Sequence, residues 1–339
     1  MPRVALLHDW LDRHFSCQPA DRTYSLAPAS ADASFRRYFR VTLADKRTFV
    51  VMDAPPEHED CRPFLKVAAL FRDAGVHVPE VFAEDLTQGF LLLSDLGHTT
   101  YLNVLDDHTA PDLYRHANTA LVTIQRSSQP GVLPEYDRAL LTRELDLFPD
   151  WYIARHLGIA LDDKQTATLR SVFERILANN LAQAQVFVHR DYHSRNLMVS
   201  GADCPENPGV IDFQDAAYGP ITYDLVSLYR DAYINWEEKQ ELDFVIRYWE
   251  MARKAGLPVQ ADFHDFYRDY EWMGAQRQIK VLGIFARLCY RDGKAVYLDD
   301  MPRVMAYLRR TCERYIELRP LARLLDQLES RPVDVGLTF

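Results

Sequence analysis

The sequence predicts an α+β chain of two lobes, a small mixed sheet with one main helix followed by a mostly helical lobe. Three observations carry this. Apolar residues alternate with polar ones over residues 34–52, but take helical spacing almost everywhere after residue 97. Three short apolar runs, at 186–188, 197–199 and 209–213, interrupt the helical half. The chain has 339 residues, and single cores stop growing near about 250–300 residues.

Residues 3–15 read as a short amphipathic helix with Leu7, Trp10 and Leu11 on one face. In "SFRRYFRVTL", Phe35, Phe39, Val41 and Leu43 show strand spacing, "ADK" is a turn and "RTFVVMDA" the partner strand. A helix follows with Phe64, Ala68 and Phe71 in phase; Gly75 stops it and Pro79 opens a strand. "GFLLLSDLG" reads as a buried strand, and a short hinge near Ser94–Gly97 ends the first lobe at residue 97. The second lobe, 98–339, carries helices at 112–126, 137–157, 164–183, 221–235, 237–255, 262–291 and 302–327.

Composition removes several function classes. The net charge is −10, without a basic cluster, which argues against a nucleic-acid partner. No apolar run approaches the roughly 18 residues of a membrane span. Charges inside "MPRVALLHDWLDRHF" exclude a signal peptide. The five cysteines, Cys17, Cys61, Cys204, Cys289 and Cys312, are odd in number, far apart and without a C-x-x-C pair. Reduced thiols and a cytoplasmic monomer are expected.

The chemistry concentrates in "FVHRDYHSRNLMV" and "GVIDFQDA". The order strand, polar loop, strand, turn, strand, aspartate brings Asp191, Asn196 and Asp212 to one end of a small sheet. Magnesium takes hard oxygen ligands, usually one or two from protein and the rest from phosphate and water. Asn196 and Asp212 can supply those, leaving Asp191 to orient and deprotonate a hydroxyl. A competing reading takes His189, Asp191 and His193 as H-x-D-x-H metal ligands of a hydrolase, but leaves Asn196 and Asp212 unexplained.

"HRDYHSRN" resembles the kinase catalytic-loop pattern H-x-D-x-x-x-x-N, and "VIDFQD" stands where the metal-binding aspartate motif stands. With "AAYGPITYDLVSL", the stretch resembles the aminoglycoside phosphotransferase family of small-molecule kinases. It is most similar to the bacterial anomeric sugar kinases acting on N-acetylmuramate and N-acetylglucosamine in cell-wall recycling. The resemblance implies a bilobal protein-kinase-like fold, ATP and Mg2+, and a small sugar as acceptor. It makes Asp191 the catalytic base, which also touches substrate, and Asn196 and Asp212 the magnesium ligands. His193 would contact nucleotide phosphate, His189 would brace the loop and Asp224 would tie the next helix to it. Ser94, Asp95 and Leu96 would form the strand end that takes adenine. Kinases of other small hydroxyl compounds, aminoglycoside or choline-like, are the nearest alternatives.

Two departures stand out. Met52 occupies the third-strand position where such kinases keep a lysine, and "DASFRRYFR" has no glycine where a Gly-rich loop would lie. Met52 alone would also suit a nucleotide-binding regulator without turnover. Arg36, Arg37 and Arg40 are the substitutes for the missing phosphate donors, with Arg37 preferred. Candidates for substrate contact are Glu144, Trp151, Arg230 and Tyr233, although Trp151 shares a helical stripe with Phe148 that suits core packing, and Glu144 stands beside Arg143 as a possible exposed pair. A substrate carboxylate would call for Arg143, Arg230 or Arg277.

Overall fold

The alternation in "SFRRYFRVTL" becomes strand β2 (Arg37–Leu43), hairpinned to β3 (Thr48–Asp53). The computed structural model describes residues 3–15, 23–30, 35–200 and 208–329. Cys17, Cys204 and Ser34, the first residue of the expected hairpin, lie outside the described residues. The chain divides into two units, Met1–Asp106 with Arg195–Asp215, and Asp107–Ser194 with Ala216–Phe339.

In the first unit, β1 (Tyr24–Ser30), β2, β3, β4 (Val81–Asp85) and β5 (Phe90–Ser94) form a sheet in the order β1-β2-β3-β5-β4. It is antiparallel throughout, not mixed, because each strand pairs with a neighbour that returns along it. Periodicity missed β1. Its "YSLAPAS" is small and polar apart from Tyr24 and Leu26, and Pro28 is tolerated because β1 is an edge strand. Helix α1 (Arg3–Phe15) lays Leu7, Trp10, Leu11 and Phe15 against Val41, Leu43, Val51, Phe90 and Leu92 on one sheet face. Each such side chain stabilises by roughly 1.5–3 kcal/mol. Tyr38, Met52 and Leu91 are cross-strand neighbours and by alternation face the other side.

Helix α2 (Arg62–Asp73) completes the unit's apolar packing: Phe64 and Phe71 meet Phe213 with ring centroids 4.8 and 5.9 Å apart. Phe213 belongs to a returning segment that sequence reasoning assigned to the helical lobe. That segment forms the hairpin β7 (Leu197–Met198) and β8 (Gly209–Val210). Val199 N–H donates to Thr99 O at 2.8 Å and Val210 N–H to His77 O at 2.8 Å. The boundary expected at residue 97 is therefore displaced, because backbone hydrogen bonds stitch 98–106 and 195–215 into the sheet-bearing unit.

The second unit contains α3 (Ala110–Arg126), α4 (Arg138–Leu147), α5 (Asp163–Leu181), α6 (Tyr223–Tyr229), α7 (Glu238–Lys254), α8 (Phe263–Asp292), α9 (Met301–Arg314) and α10 (Arg319–Leu328). It also holds β6 (Gln185–Val188), paired with β9 (Ala217–Pro220). The single sheet expected for the three short strands is thus two separate ladders. The helix expected over 137–157 changes winding at Phe148, continuing as a π-helix to His156. It stacks Phe148 on Tyr152 at 4.9 Å; Trp151 stays half-buried outside that stack.

Helix α8 is the axis of this unit, about 45 Å long at 1.5 Å per residue. It is buried without a break from Tyr270 to Gly283, as a helix surrounded by others must be. Glu271, Gln276 and Lys280 are paired there, whereas the Gln278 amide and the Trp272 indole N–H have no hydrogen-bond partner among the described residues. Arg230, 1% exposed, donates to Glu241 at 2.6 Å, Glu271 at 2.9 Å and Thr311 at 2.9 Å, joining α6 to α7, α8 and α9. Arg230 is fully occupied by this network and leaves the list of substrate contacts.

Gly283 sets how closely α8 approaches α4: a Cβ there would lie 2.5 Å from the Leu147 carbonyl carbon. Gly283→Ala is expected to cost about 1–3 kcal/mol of stability, the range for overpacking a tight contact. Chemical denaturation midpoints of the variant and the parent measure it.

Candidate active site

The catalytic-loop half of the site is built in the helical unit. Strand β6 ends at Val188; His189 follows, fully buried, and the chain then turns through Arg190 at φ 77°. A non-glycine residue holds that left-handed conformation at a cost of about 1–3 kcal/mol, so something must enforce it. Asp224 does: its Oδ2 accepts from His189 N–H at 2.7 Å and its Oδ1 from Arg190 N–H at 2.9 Å. Burial pushes the Asp224 carboxyl up to about 7 against the pull of those two donors, with the Asp191 charge adding to the rise.

Asp191 follows, half-buried. Its N–H donates to His189 Nδ1 at 3.2 Å, so that nitrogen is an acceptor and the neutral ring carries its proton on Nε2. This commitment, in a ring without solvent exposure, removes His189 from the hydrolase ligand set. Among the described residues no group of three or more His, Cys, Asp or Glu side chains is arranged to hold a metal. Beyond Asp191, Tyr192 donates to Ala117 O at 2.8 Å, and Ser194 is held by Asp231 through its N–H at 3.0 Å and hydroxyl at 2.5 Å. Asp231 Oδ1 also accepts from Tyr233 N–H at 3.1 Å. The half-buried Tyr233 ring lies 5.6 Å from that of His193.

Electrostatics set the state of Asp191. Burial raises its affinity for a proton, but Lys280, His193 and Arg277 outweigh that, leaving the carboxyl below the usual carboxylate range. Lys280 was not expected from the motifs. A lone lysine in the apolar run "QIKVLGIFA" of α8 was the available signal. It donates to Tyr223 Oη at 2.8 Å and pairs with Glu144 at 2.9 Å. Glu144, 5% exposed, also binds Arg190 at 3.0 Å and accepts from Tyr136 at 2.6 Å. Glu144 is therefore not the exposed partner of Arg143 and not a substrate contact; it holds the two cations that flank the loop. Arg143 is exposed.

The metal-ligand half is built in the sheet-bearing unit. Asn196 precedes β7 and Asp212 follows β8, so the hairpin places them together: Asn196 Nδ2 is 3.2 Å from Asp212 Oδ2, and Ile211 N–H donates to Asn196 O at 3.1 Å. Asp212 sits at φ 63° and accepts from Gln214 at 2.8 Å. Amide oxygen and nitrogen exchange by a simple flip, so this pair offers one amide oxygen and one carboxylate. That donor set fits magnesium, which takes its remaining ligands from phosphate and water.

The three arginines are not idle phosphate donors. Arg37 binds the fully buried Asp53, which Arg3 shares at 2.6 Å. Arg40 makes a fork to Asp95 at 2.6 and 2.9 Å and reaches Gly97 O at 2.7 Å. Arg36 pairs with Glu59 at 2.9 Å. Burial disfavours the charge of Arg36, but Tyr38, Glu59, Asp215 and Asp212 outweigh it, so Arg36 is an arginine on which the Asp212 and Asp215 carboxylates act. Asp95 has its carboxylate spent on Arg40, and Ser94 N–H is donated to Glu80 O at 2.9 Å, closed to adenine. Leu96 makes no backbone hydrogen bond among the described residues. Met52 is fully buried.

A family model described as phosphotransferase enzyme family matches residues 25–257. The N-acetylmuramate/N-acetylglucosamine kinase of Pseudomonas aeruginosa is 53% identical over 303 residues, 89% of this chain and 88% of the relative. The enzyme of the same name from Neisseria meningitidis serogroup B is 48% identical over 344 residues, covering 100% of both. Among solved structures, an ADP-bound aminoglycoside phosphotransferase is similar with a TM-score of 0.57 at 13% identity, over 89% of this chain and 97% of that one. That likeness is one of fold.

Asp224→Ala would strip the acceptor from two buried N–H groups, each worth about 1–3 kcal/mol. The variant is expected to lose stability on that scale and most of its turnover. Thermal denaturation and steady-state rates, taken together, check it.

Proposed function

The chain belongs to the phosphotransferase enzyme family, and from that premise we propose that it phosphorylates the anomeric hydroxyl of an amino sugar with ATP. The acceptors are N-acetylmuramate and N-acetylglucosamine, taken to their 1-phosphates in peptidoglycan recycling, as the names of the relatives suggest. One observation carries the reading: a half-buried aspartate in a kinase-type loop, kept ionised by surrounding cations and supplied with no metal ligand of its own.

Asp191 orients the acceptor hydroxyl and takes its proton as the oxygen bonds to the γ-phosphorus, while the bond from that phosphorus to the β,γ-bridging oxygen breaks and ADP leaves. An anomeric hydroxyl is more acidic than an ordinary alcohol, so a carboxylate of low basicity suffices. Asn196 and Asp212 would hold Mg2+, which neutralises phosphate charge when bound. Asp224 fixes the backbone that aims Asp191, and Asp231 holds the far end of the same loop. Tyr233 and His193 supply a half-buried aromatic surface of the kind that lies against a sugar ring. Leu96, through its backbone, stays the candidate for adenine. Arg36 is the candidate cation for the nucleotide phosphates.

Incubation with Mg-ATP and a panel of N-acetylmuramate, N-acetylglucosamine, an aminoglycoside and choline, with products identified by mass, tests the acceptor. A sugar 1-phosphate is expected; phosphorylation of the aminoglycoside or choline alone would overturn the assignment. Asp191→Asn is expected to lower kcat by about 10²–10⁴-fold while ATP binding, followed by calorimetry, is retained.

The nucleotide side has its own comparison. A charge-assisted hydrogen bond is worth roughly 1.5–3 kcal/mol, so Arg36→Ala should raise the KM for ATP about 10–100-fold. Arg37→Ala should raise it far less, since its guanidinium is spent on Asp53. Equal effects in the two variants would return the phosphates to an unassigned donor.

A further inference from the structure

One cation beside Asp191 is accounted for within the protein: Lys280 is neutralised by Glu144 at 2.9 Å. Arg277 is different. It lies one turn before Lys280 on α8 and is 5% exposed. Its charge acts on Asp191, Tyr223 and Asp224. Yet among the described residues no carboxylate forms an ion pair with its guanidinium, and none of its nitrogens donates a hydrogen bond. Burying a guanidinium without a partner is costly. Elsewhere in this unit the buried arginine carries its own carboxylates, as Arg230 does with Glu241 and Glu271.

No nitrogen of that guanidinium is sealed from solvent, so an anion arriving from outside can pair with it. Arg277 stands one turn before Lys280 on α8, and Lys280 pairs with Glu144, which also holds Arg190, the residue before Asp191. We propose that Arg277 binds a carboxylate carried by the acceptor sugar itself, and so sets the preference for an acidic amino sugar over a neutral one. This rests on the amino-sugar kinase reading above and adds the residue that discriminates between its two acceptors. Of the two substrates, N-acetylmuramate carries the carboxylate, on its lactyl ether. A planar guanidinium suits such a group because it can donate two parallel N–H bonds. Arg143 and Arg230, the other arginines the sequence offers, are excluded, the first by its exposure and the second by its ion pairs.

The test removes the charge from either side. In the parent enzyme, kcat/KM for N-acetylmuramate is compared with that for its lactyl methyl ester, which keeps the atoms and loses the charge. The ester is expected to be poorer by about 10–100-fold, the scale of a charge-assisted hydrogen bond. In Arg277→Gln the acid and the ester should be used alike, with the loss for the acid appearing mainly in KM. Because Arg277 also acts on Asp191, both substrates will slow by a common factor, which the acid-to-ester ratio cancels. Arg277→Lys retains the charge without the fork, so it keeps the fold if Arg277→Gln does not; its ratio should lie several-fold below the parent value. A parent enzyme indifferent to esterification, or a parent ratio preserved in both variants, overturns the proposal. Failure of the parent enzyme to phosphorylate either sugar would instead overturn the reading it rests on.

Discussion

An ionised carboxylate taken out of water costs several kcal/mol unless positive charge surrounds it, and that constraint organises the helical unit. Asp191 has to remain unprotonated to accept a proton, yet it has to sit deep enough to exclude competing water. Lys280, His193 and Arg277 supply the compensating field. Each cation then raises the same problem one layer out. Glu144 answers it for Lys280 and Arg190 together, and Tyr136 donates to its remaining oxygen. The result is a shell of alternating charge whose members come from α4, the catalytic loop, α6 and α8.

Geometry depends on a second buried carboxylate. Asp224 accepts two successive backbone N–H groups and so holds Arg190 in a left-handed conformation that its side chain disfavours. The turn sends His189 inward and leaves Asp191 half-exposed. Asp231 clamps Ser194 three residues further on. Between these two clamps the loop has little freedom, which suits a group that must meet its substrate within a fraction of an ångström.

The same loop is divided by the architecture. Its first half, through Ser194, is fastened to helices, and its second, from Arg195, to the sheet-bearing unit. Asp191 and Asn196 are close in sequence but belong to different units. Phe213, in ring contact with Phe64 and Phe71 one residue after Asp212, anchors that segment in the sheet-bearing unit.

By itself the sequence determined the α+β class, the positions of nearly all helices, the central hairpin, the loop carrying Asp191 and Asn196, and the later strand end carrying Asp212. It could do so because helical and strand periodicity are local, and because the spacing of hard-oxygen ligands around a short hairpin is local too. It could not show β1, whose residues are too small and polar to mark a buried face, nor that β6 pairs with the distant β9. Nor could it assign the charged residues. Arg230, Glu144, Arg37 and Arg40 all read as available cations or anions, and each proved to be matched by an opposite charge far away in the chain. Lys280 looked like an ordinary helix residue, and Arg277 was one of three arginines offered to a substrate carboxylate; the charges of both act on Asp191. Charge pairing is decided by which helices pack together, and α8 brings residues from position 270 to position 280 against partners between 144 and 241. Only the tertiary structure says which buried charges are already paired within the chain.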